Sequence, residues 1–292
     1  MTGPTGVGKS AFSVELAEVL GAEIIGADAF QIYAGLPILT AQPGPDLTAR
    51  IPHHLVGVLH TDEVCNAARY LQMAREAMQI IQSRGKIPLL VGGTGLYLKS
   101  LTHGLADLPP VDAELRAHIA CMGPEEAVAL LRETDPDAPR NIDARNPVRV
   151  RRALEIVLST GRPLAELRSH WKEPSTEFRG LSLIRDRLDL RKRIEENVDA
   201  MFDEGVIEEV RLAPDVGPGA SRAIGYREIR DLLAGRMSLH ACRSAIVTAT
   251  HRYSKRQSTW CRHQFDFPSL SLSAPGPDPV AHAAQCLLRE DG

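Results

Sequence analysis

Gly3-Pro4-Thr5-Gly6-Val7-Gly8-Lys9-Ser10 matches G-x-x-x-x-G-K-[ST] at every fixed position. Glycines at this spacing let the backbone turn so tightly that successive N–H groups converge on a phosphate, while the helix that follows adds its positive end. Gly3, Thr5, Gly6, Val7 and Gly8 are therefore read as a phosphate cradle. Lys9 is expected to reach the distal phosphate, and the Ser10 hydroxyl to help hold Mg²⁺.

Outward from the loop, the pattern is α/β. An apolar helix is expected over Ser10–Leu20 and a short strand over Glu23–Gly26. A long helical stretch from about Cys65 to Ser83, a stop at Gly85, a strand over Ile87–Val91 and a second glycine loop follow. Strand, loop and helix recurring in this order imply crossover connections and a parallel sheet. Past Leu108-Pro109-Pro110, Asp112 to about Pro174 reads as helices separated by polar turns, with no strand-like run. The expected organisation is a P-loop parallel-sheet core over 1–110 and 176–292, with an inserted all-helical domain at 111–175.

Leu181–Ile184 is expected to rejoin the sheet, and Asp189–Leu212 carries apolar residues at near-helical spacing. Two further helices follow Ile224-Gly225-Tyr226, then a Pro- and Ser-rich piece and a short terminal helix. A phosphate loop is normally held by a preceding buried strand, and only Met1 and Thr2 precede Gly3. The first core strand is therefore expected to be truncated here, with the natural start upstream of Met1.

Composition bounds the function classes. With 43% hydrophobic residues, 24% charged residues and a net charge of −3, the sequence is of the ordinary globular kind, which excludes disordered and fibrous chains. Its apolar runs are too short for a membrane span, and no signal peptide precedes them, so a cytoplasmic protein without membrane contact is expected. Cys65, Cys121, Cys242, Cys261 and Cys286 form no CxxC pair and read as reduced thiols.

The phosphate loop alone leaves a kinase, an ATPase, a GTPase and a prenyltransferase open, and the lack of an N-K-x-D motif argues against the GTPase. Asp28 falls just past a parallel strand, at the rim where a carboxylate can bind Mg²⁺ or act as a base. Gly92-Gly93-Thr94-Gly95 follows the next strand and puts a hydroxyl at the same rim. Arg145–Arg152 holds four arginines without an acid, and His251–His263 holds Arg252, Lys255, Arg256 and Arg262 likewise. Either could be a solvated helix face, but two such runs in a slightly acidic protein favour nucleic-acid phosphate binding. Trp260 reads as core, and His53-His54 as structural.

The phosphate loop, Asp28-Ala29-Phe30-Gln31-Ile32-Tyr33, Pro52-His53-His54-Leu55 and Leu89–Tyr97 occur here in the order found in tRNA dimethylallyltransferases. Asn146–Glu155, Ile224-Gly225-Tyr226-Arg227 and Lys255–Trp260 with Arg262 also resemble that family. The resemblance implies transfer of a dimethylallyl group from its diphosphate to the exocyclic amine of the adenosine 3′ of the anticodon. It implies Asp28 as general base and Thr94 near the leaving oxygen and target base. Asp28, Ala29, Phe30, Gln31, Arg116, Val148, Arg149, Val150, Arg151, Arg152, Arg222, Gly225, Tyr226, Arg227, Lys255, Arg256, Gln257 and Arg262 fall on the family's tRNA-contacting positions. The expected partners are the tRNA anticodon arm and dimethylallyl diphosphate, with Mg²⁺ as cofactor and the protein a monomer.

Three departures stand out: Ala29-Phe30 where the family usually has Ser-Met, Leu39 for a glycine, and Gln42 for a lysine. The competing readings are an adenylate isopentenyltransferase acting on free AMP or ATP, a small-molecule kinase, and an RNA-binding protein without turnover.

Overall fold

The computed structural model describes residues 1–105, 108, 110–168, 178–213, 216–273 and 278–288. The chain divides into two compact units, Met1–Leu101 with Thr176–Gly292, and Thr102–Ser175.

In the first unit the phosphate loop runs into α1 (Lys9–Leu20), which buries Phe12, Val14, Leu16 and Ala17 and ends at Gly21. The chain continues through β1 (Ala22–Gly26), α2 (Pro45–Arg50), β2 (His53–His54), α3 (Ala67–Ser83), β3 (Ile87–Val91) and α4 (Gly95–His103). The three strands form a parallel sheet in the order β2-β1-β3, with Ile24 opposite His53 and Leu89. β1 is buried throughout, as a central parallel strand covered on both faces must be. Asn66 caps α3 by accepting from Arg69 N. Tyr70 of α3 stacks on Tyr97 of α4 at 3.9 Å and donates to Gly26 O, clamping both helices to the strand end.

A second parallel pair, β4 (Ser182–Ile184) with β5 (Ser269–Ser271), completes the sheet elements. Met1 and Thr2 lie between the two sheets. Thr2 bridges Gly92 on one side and Ser182 on the other, both in parallel sense. Thr2 N donates to Leu181 O and Leu183 N to Thr2 O, each at 2.8 Å. Among the described residues no strand element precedes Gly3.

The expected single helical stretch at 189–212 is two helices, α10 (Arg187–Asp203) and α11 (Val206–Leu212), interrupted at Gly205 with φ of 95°. A short 3₁₀ turn (Ala220–Arg222) leads to α12 (Tyr226–Leu233), the long α13 (Leu239–Gln264) and α14 (Pro279–Leu288). α14 packs its Val280, Ala283 and Ala284 into the core that α1 and β1 build. His53 and His54 are structural: His53 Nδ1 bonds Ile51 O, and His54 Nε2 meets the buried Glu23 carboxylate at 2.7 Å, which Arg84 also pairs.

The second unit is helical: α5 (Ala113–Cys121), α6 (Pro124–Thr134), α7 (Ala138–Asn141), α8 (Pro147–Thr160) and α9 (Leu164–Arg168). Ile119, Leu131, Val150, Leu154, Val157 and Leu164 form its own apolar core. Asp135 is buried because it is fully used, accepting from Ala138 N and Leu164 N. Among the described residues no helix is long and apolar enough to cross a membrane, and the five cysteines are free thiols.

Candidate active site

At the C-terminal rim of the first sheet lies a cavity of about 510 Å³, built within the first unit. Thr5, Gly6, Gly8, Lys9, Ser10 and Asp28 line it together with residues of α10 and α13. Gly8 caps α1 with φ of 105°, a conformation side chains seldom adopt, which turns the loop so that the helix N-terminus faces the cavity. The first turn of α1 carries no acidic residue to compete for that positive end.

Lys9 Nζ folds back to Gly3 O and Pro4 O, both at 2.9 Å, closing the loop on itself. Burial pushes its pKa down to about 8, against the pull of Asp28. Two arginines brace the same loop: Arg193 Nε donates to Gly6 O at 3.2 Å and Arg185 Nε to Val7 O at 3.1 Å. Arg193 also lines the cavity. Gly3 and Val7 are not on its wall; Val7 N is used within the loop on Pro4 O and its side chain lies in the core.

Asp28 Oδ1 accepts from Phe30 N at 2.9 Å and Gln31 N at 3.3 Å, an Asx-type turn that fixes the carboxylate where β1 ends. Oδ2 takes no hydrogen bond from the described residues, and the carboxylate borders the cavity. Thr94 stands behind it: its Oγ1 accepts from Ala29 N at 2.9 Å, tying the Asp28 turn to the second glycine loop. Gly92 makes that approach possible, since a Cβ there would meet Ala27 O at 2.0 Å.

The α13 face toward the cavity carries Ile246, Thr250 and Tyr253, with Gln257 one turn further on. Burial, and next the charge of Asp28, push the Tyr253 phenol up to about 12, with Thr94 and Gln257 within hydrogen-bonding reach. The phenol therefore stays protonated and can only donate or accept a hydrogen bond. Gln257 joins the two glycine loops, accepting from Thr5 N at 2.8 Å and donating to Gly93 O at 3.0 Å.

The expected tRNA-contacting positions differ in burial. Gln257 is 5% exposed with both ends of its amide used, and Val150 is 1% exposed in the core of the helical unit. Gly225 is buried as the cap of α12. These three support their own elements. Exposed are Arg116, Val148, Arg149 and Arg152 on the helical unit, and Arg222, Arg227, Lys255, Arg256 and Arg262 on the other. Arg151 and Tyr226 are half-buried, with Arg151 Nη2 on Met122 O. Arg152 pairs with Glu155 at 2.9 Å, and Arg116 reaches the same carboxylate at 3.8 Å.

The departures at 39 and 42 have local roles. Gln42 Nε2 donates to Gln31 O and Tyr33 O, and Gln31 Nε2 donates to Thr40 O and Ala41 O. Leu39 is buried on the cavity wall. Arg193, Arg185 and Tyr253 carry no local motif in the sequence. The helical spacing of Tyr253 and Gln257 is the one signal that could have placed them on one face. Trp260 is half-buried and lies against Gly95, where a Cβ would meet its ring at 2.0 Å.

Residues 31–264 match the family model described as IPP transferase. The chain is 40% identical over 287 residues to the tRNA dimethylallyltransferase of Akkermansia muciniphila, covering 98% of this chain and 97% of that one. It is also 40% identical over 272 residues to that of Thermus thermophilus, with 90% and 89% covered. Among solved structures it is similar to the tRNA isopentenylpyrophosphate transferase of Bacillus halodurans (TM-score 0.71, 32% identity, 97% and 93% covered). A eukaryotic dimethylallyltransferase acting on tRNA gives a TM-score of 0.82 at 27% identity, with 93% and 73% covered. The match over most of the sequence, and the identity to relatives along nearly their whole length, make this chain a member of the IPP transferase family.

Proposed function

We propose that this protein transfers a dimethylallyl group from dimethylallyl diphosphate to the exocyclic amine of the adenosine 3′-adjacent to the anticodon in tRNA. The observation that carries the reading is the shared cavity, with a phosphate loop on one wall, a carboxylate oxygen without a partner on another, and apolar side chains between. Asp28 accepts a proton from the amine as nitrogen bonds to C1 of the prenyl group. The C1–O bond breaks, and its electron pair leaves on the diphosphate. A positioned base in such a step contributes roughly 10²–10⁴-fold. Lys9, the loop N–H groups and the start of α1 stabilise the charge that gathers on the leaving group. Thr94 holds the Asp28 turn through its bond from Ala29 N.

Among the described residues no cluster of three or more His, Cys, Asp or Glu could hold a metal by itself. That suits Mg²⁺, which binds through one or two protein oxygens plus substrate phosphates. Ser10 Oγ, on the cavity wall, is the protein oxygen available to it, which leaves Asp28 Oδ2 to the proton. Bound there with the diphosphate, it would neutralise part of the leaving charge.

The exposed arginines and lysines on both units supply phosphate contacts for the anticodon arm, and the target base must leave its stack to meet Asp28. The protein acts as a monomer in the cytoplasm on this reading. The test offers labelled dimethylallyl diphosphate with unmodified tRNA, AMP and ATP as acceptors. Label entering tRNA alone, with no phosphate moving from ATP, supports the proposal. Label entering AMP or ATP instead would establish an adenylate isopentenyltransferase.

A further inference from the structure

We propose that Leu39 and Ile246 form a plug that closes one end of the cavity and limits the transferred hydrocarbon to one isoprene unit. This rests on the prenyl-transfer reading of the same site. The scale is set by α13, whose residues Ile246, Thr250, Tyr253 and Gln257 follow one another on a single helix face. Gln257 stands at the phosphate loop, Tyr253 near Asp28, and Ile246 lines the same cavity two turns from Tyr253. Tyr253 and Ile246 are seven positions apart, about 10 Å at the α-helical rise.

An isoprene unit extends about 5 Å, judged from ordinary covalent geometry. Its terminal methyl groups need a further 4 Å or so to the nearest wall atom. On that scale one unit spans the interval between the levels of Tyr253 and Ile246 on the helix. A second runs into the wall.

That wall is packed and held. Leu39 is 6% exposed and Ile246 2%. Both lean on Gly225, where a Cβ would stand 3.0 Å from Leu39 Cδ1 and 3.3 Å from Ile246 Cδ1. The loop carrying Leu39 is tied down by the Glu209 carboxylate, which accepts from Ile38 N and Leu39 N, each at 2.7 Å. Gln31 and Gln42 fasten the end of the same loop through Ala41 O and Tyr33 O, again at 2.7 Å. These bonds hold the backbone of the loop, so Leu39 yields to a longer chain only by changing its rotamer against Gly225 and Ile246. Between plug and phosphate loop, Ile194, Val198 and Met201 give the passage an apolar side, with Arg193, Asn197 and Glu204 also on its wall.

The experiment compares kcat/KM for dimethylallyl and geranyl diphosphate on one unmodified tRNA, for the wild type, Leu39→Ala and Ile246→Ala. The wild type should favour the shorter donor by about a hundredfold or more, and each truncation should raise the geranyl-to-dimethylallyl ratio by about tenfold. Leu39→Val serves where the alanine variants melt early, with a smaller rise expected. Competition of geranyl diphosphate against labelled dimethylallyl diphosphate on the wild type needs no variant, and weaker binding of the longer donor is expected despite its added carbons. Tighter binding of geranyl diphosphate, or an unchanged ratio in folded variants that still transfer the shorter group, overturns the plug alone. A wild type that transfers no prenyl group to tRNA overturns the parent reading, and the plug with it.

Discussion

Replacing Asp28 by asparagine isolates the proposed proton transfer from the fold. Oδ1 of the native carboxylate accepts from Phe30 N and Gln31 N, and an asparagine oxygen can accept both bonds. What changes is Oδ2, which becomes an NH₂ group unable to take a proton from an amine. Weakening charge-assisted bonds to neutral ones should lower stability by about 1 kcal/mol. The rate should fall by roughly 10²–10⁴-fold, or about 3–5 kcal/mol of transition-state stabilisation. Single-turnover prenyl transfer, with enzyme in excess over labelled tRNA and saturating dimethylallyl diphosphate, reads the chemical step directly. Filter binding of the same variant should give a tRNA Kd within a few-fold of wild type. A single-turnover rate within about threefold of wild type removes Asp28 from proton transfer, because that loss is smaller than any positioned base supplies.

Alanine at Arg149 and Arg152 together should weaken tRNA binding without affecting dimethylallyl diphosphate binding. The slope of log K against log salt should become shallower by about 0.9 for each phosphate that is no longer neutralised. An unchanged slope shows that these arginines do not meet phosphate. Gln257→Ala should act differently: it strands Thr5 N and Gly93 O, so Tm and donor affinity should both fall while the tRNA salt slope stays put. A reduced slope with normal donor affinity returns Gln257 to the tRNA surface. Donor affinity should also depend on pH. Lys9 has its pKa lowered to about 8 in the free protein, and a bound diphosphate favours its charged form, so affinity should be level below pH 8 and decline above it as the free enzyme loses this proton. A titration with no break near that pH shows that Lys9 does not carry the diphosphate.

The parts of the fold that were legible in the sequence are those whose cause is local. The phosphate loop, α1, β1 and β3 follow from adjacent residues: glycines that permit the turn and apolar runs that must be covered. β2 and β5 contain only His53-His54 and Ser269-Leu270-Ser271, and they are strands because a neighbour pairs with them. The break at Gly205 was hidden because apolar spacing continues past it through Val206 and Val210. Asp28 could be placed from its position after a strand. Arg193 and Tyr253 could not, since they reach the site from helices that only the tertiary fold brings to the loop. Val150 lies at a position that the family resemblance marks for tRNA. It sits among arginines in the sequence, yet helical rotation turns it into the core while Arg149 and Arg152 face solvent. A run of basic residues marks a helix but does not by itself assign each residue to a face.

Nucleoside analysis of a reacted tRNA tests the central claim most directly. Unmodified tRNA incubated with the protein, Mg²⁺ and dimethylallyl diphosphate is digested and its nucleosides identified by mass. The expected product is a single dimethylallyl-adenosine per tRNA, mapped to the position 3′ of the anticodon, with diphosphate released in equal amount. A tRNA recovered without the prenyl group, or with it on another nucleotide, contradicts the proposed function.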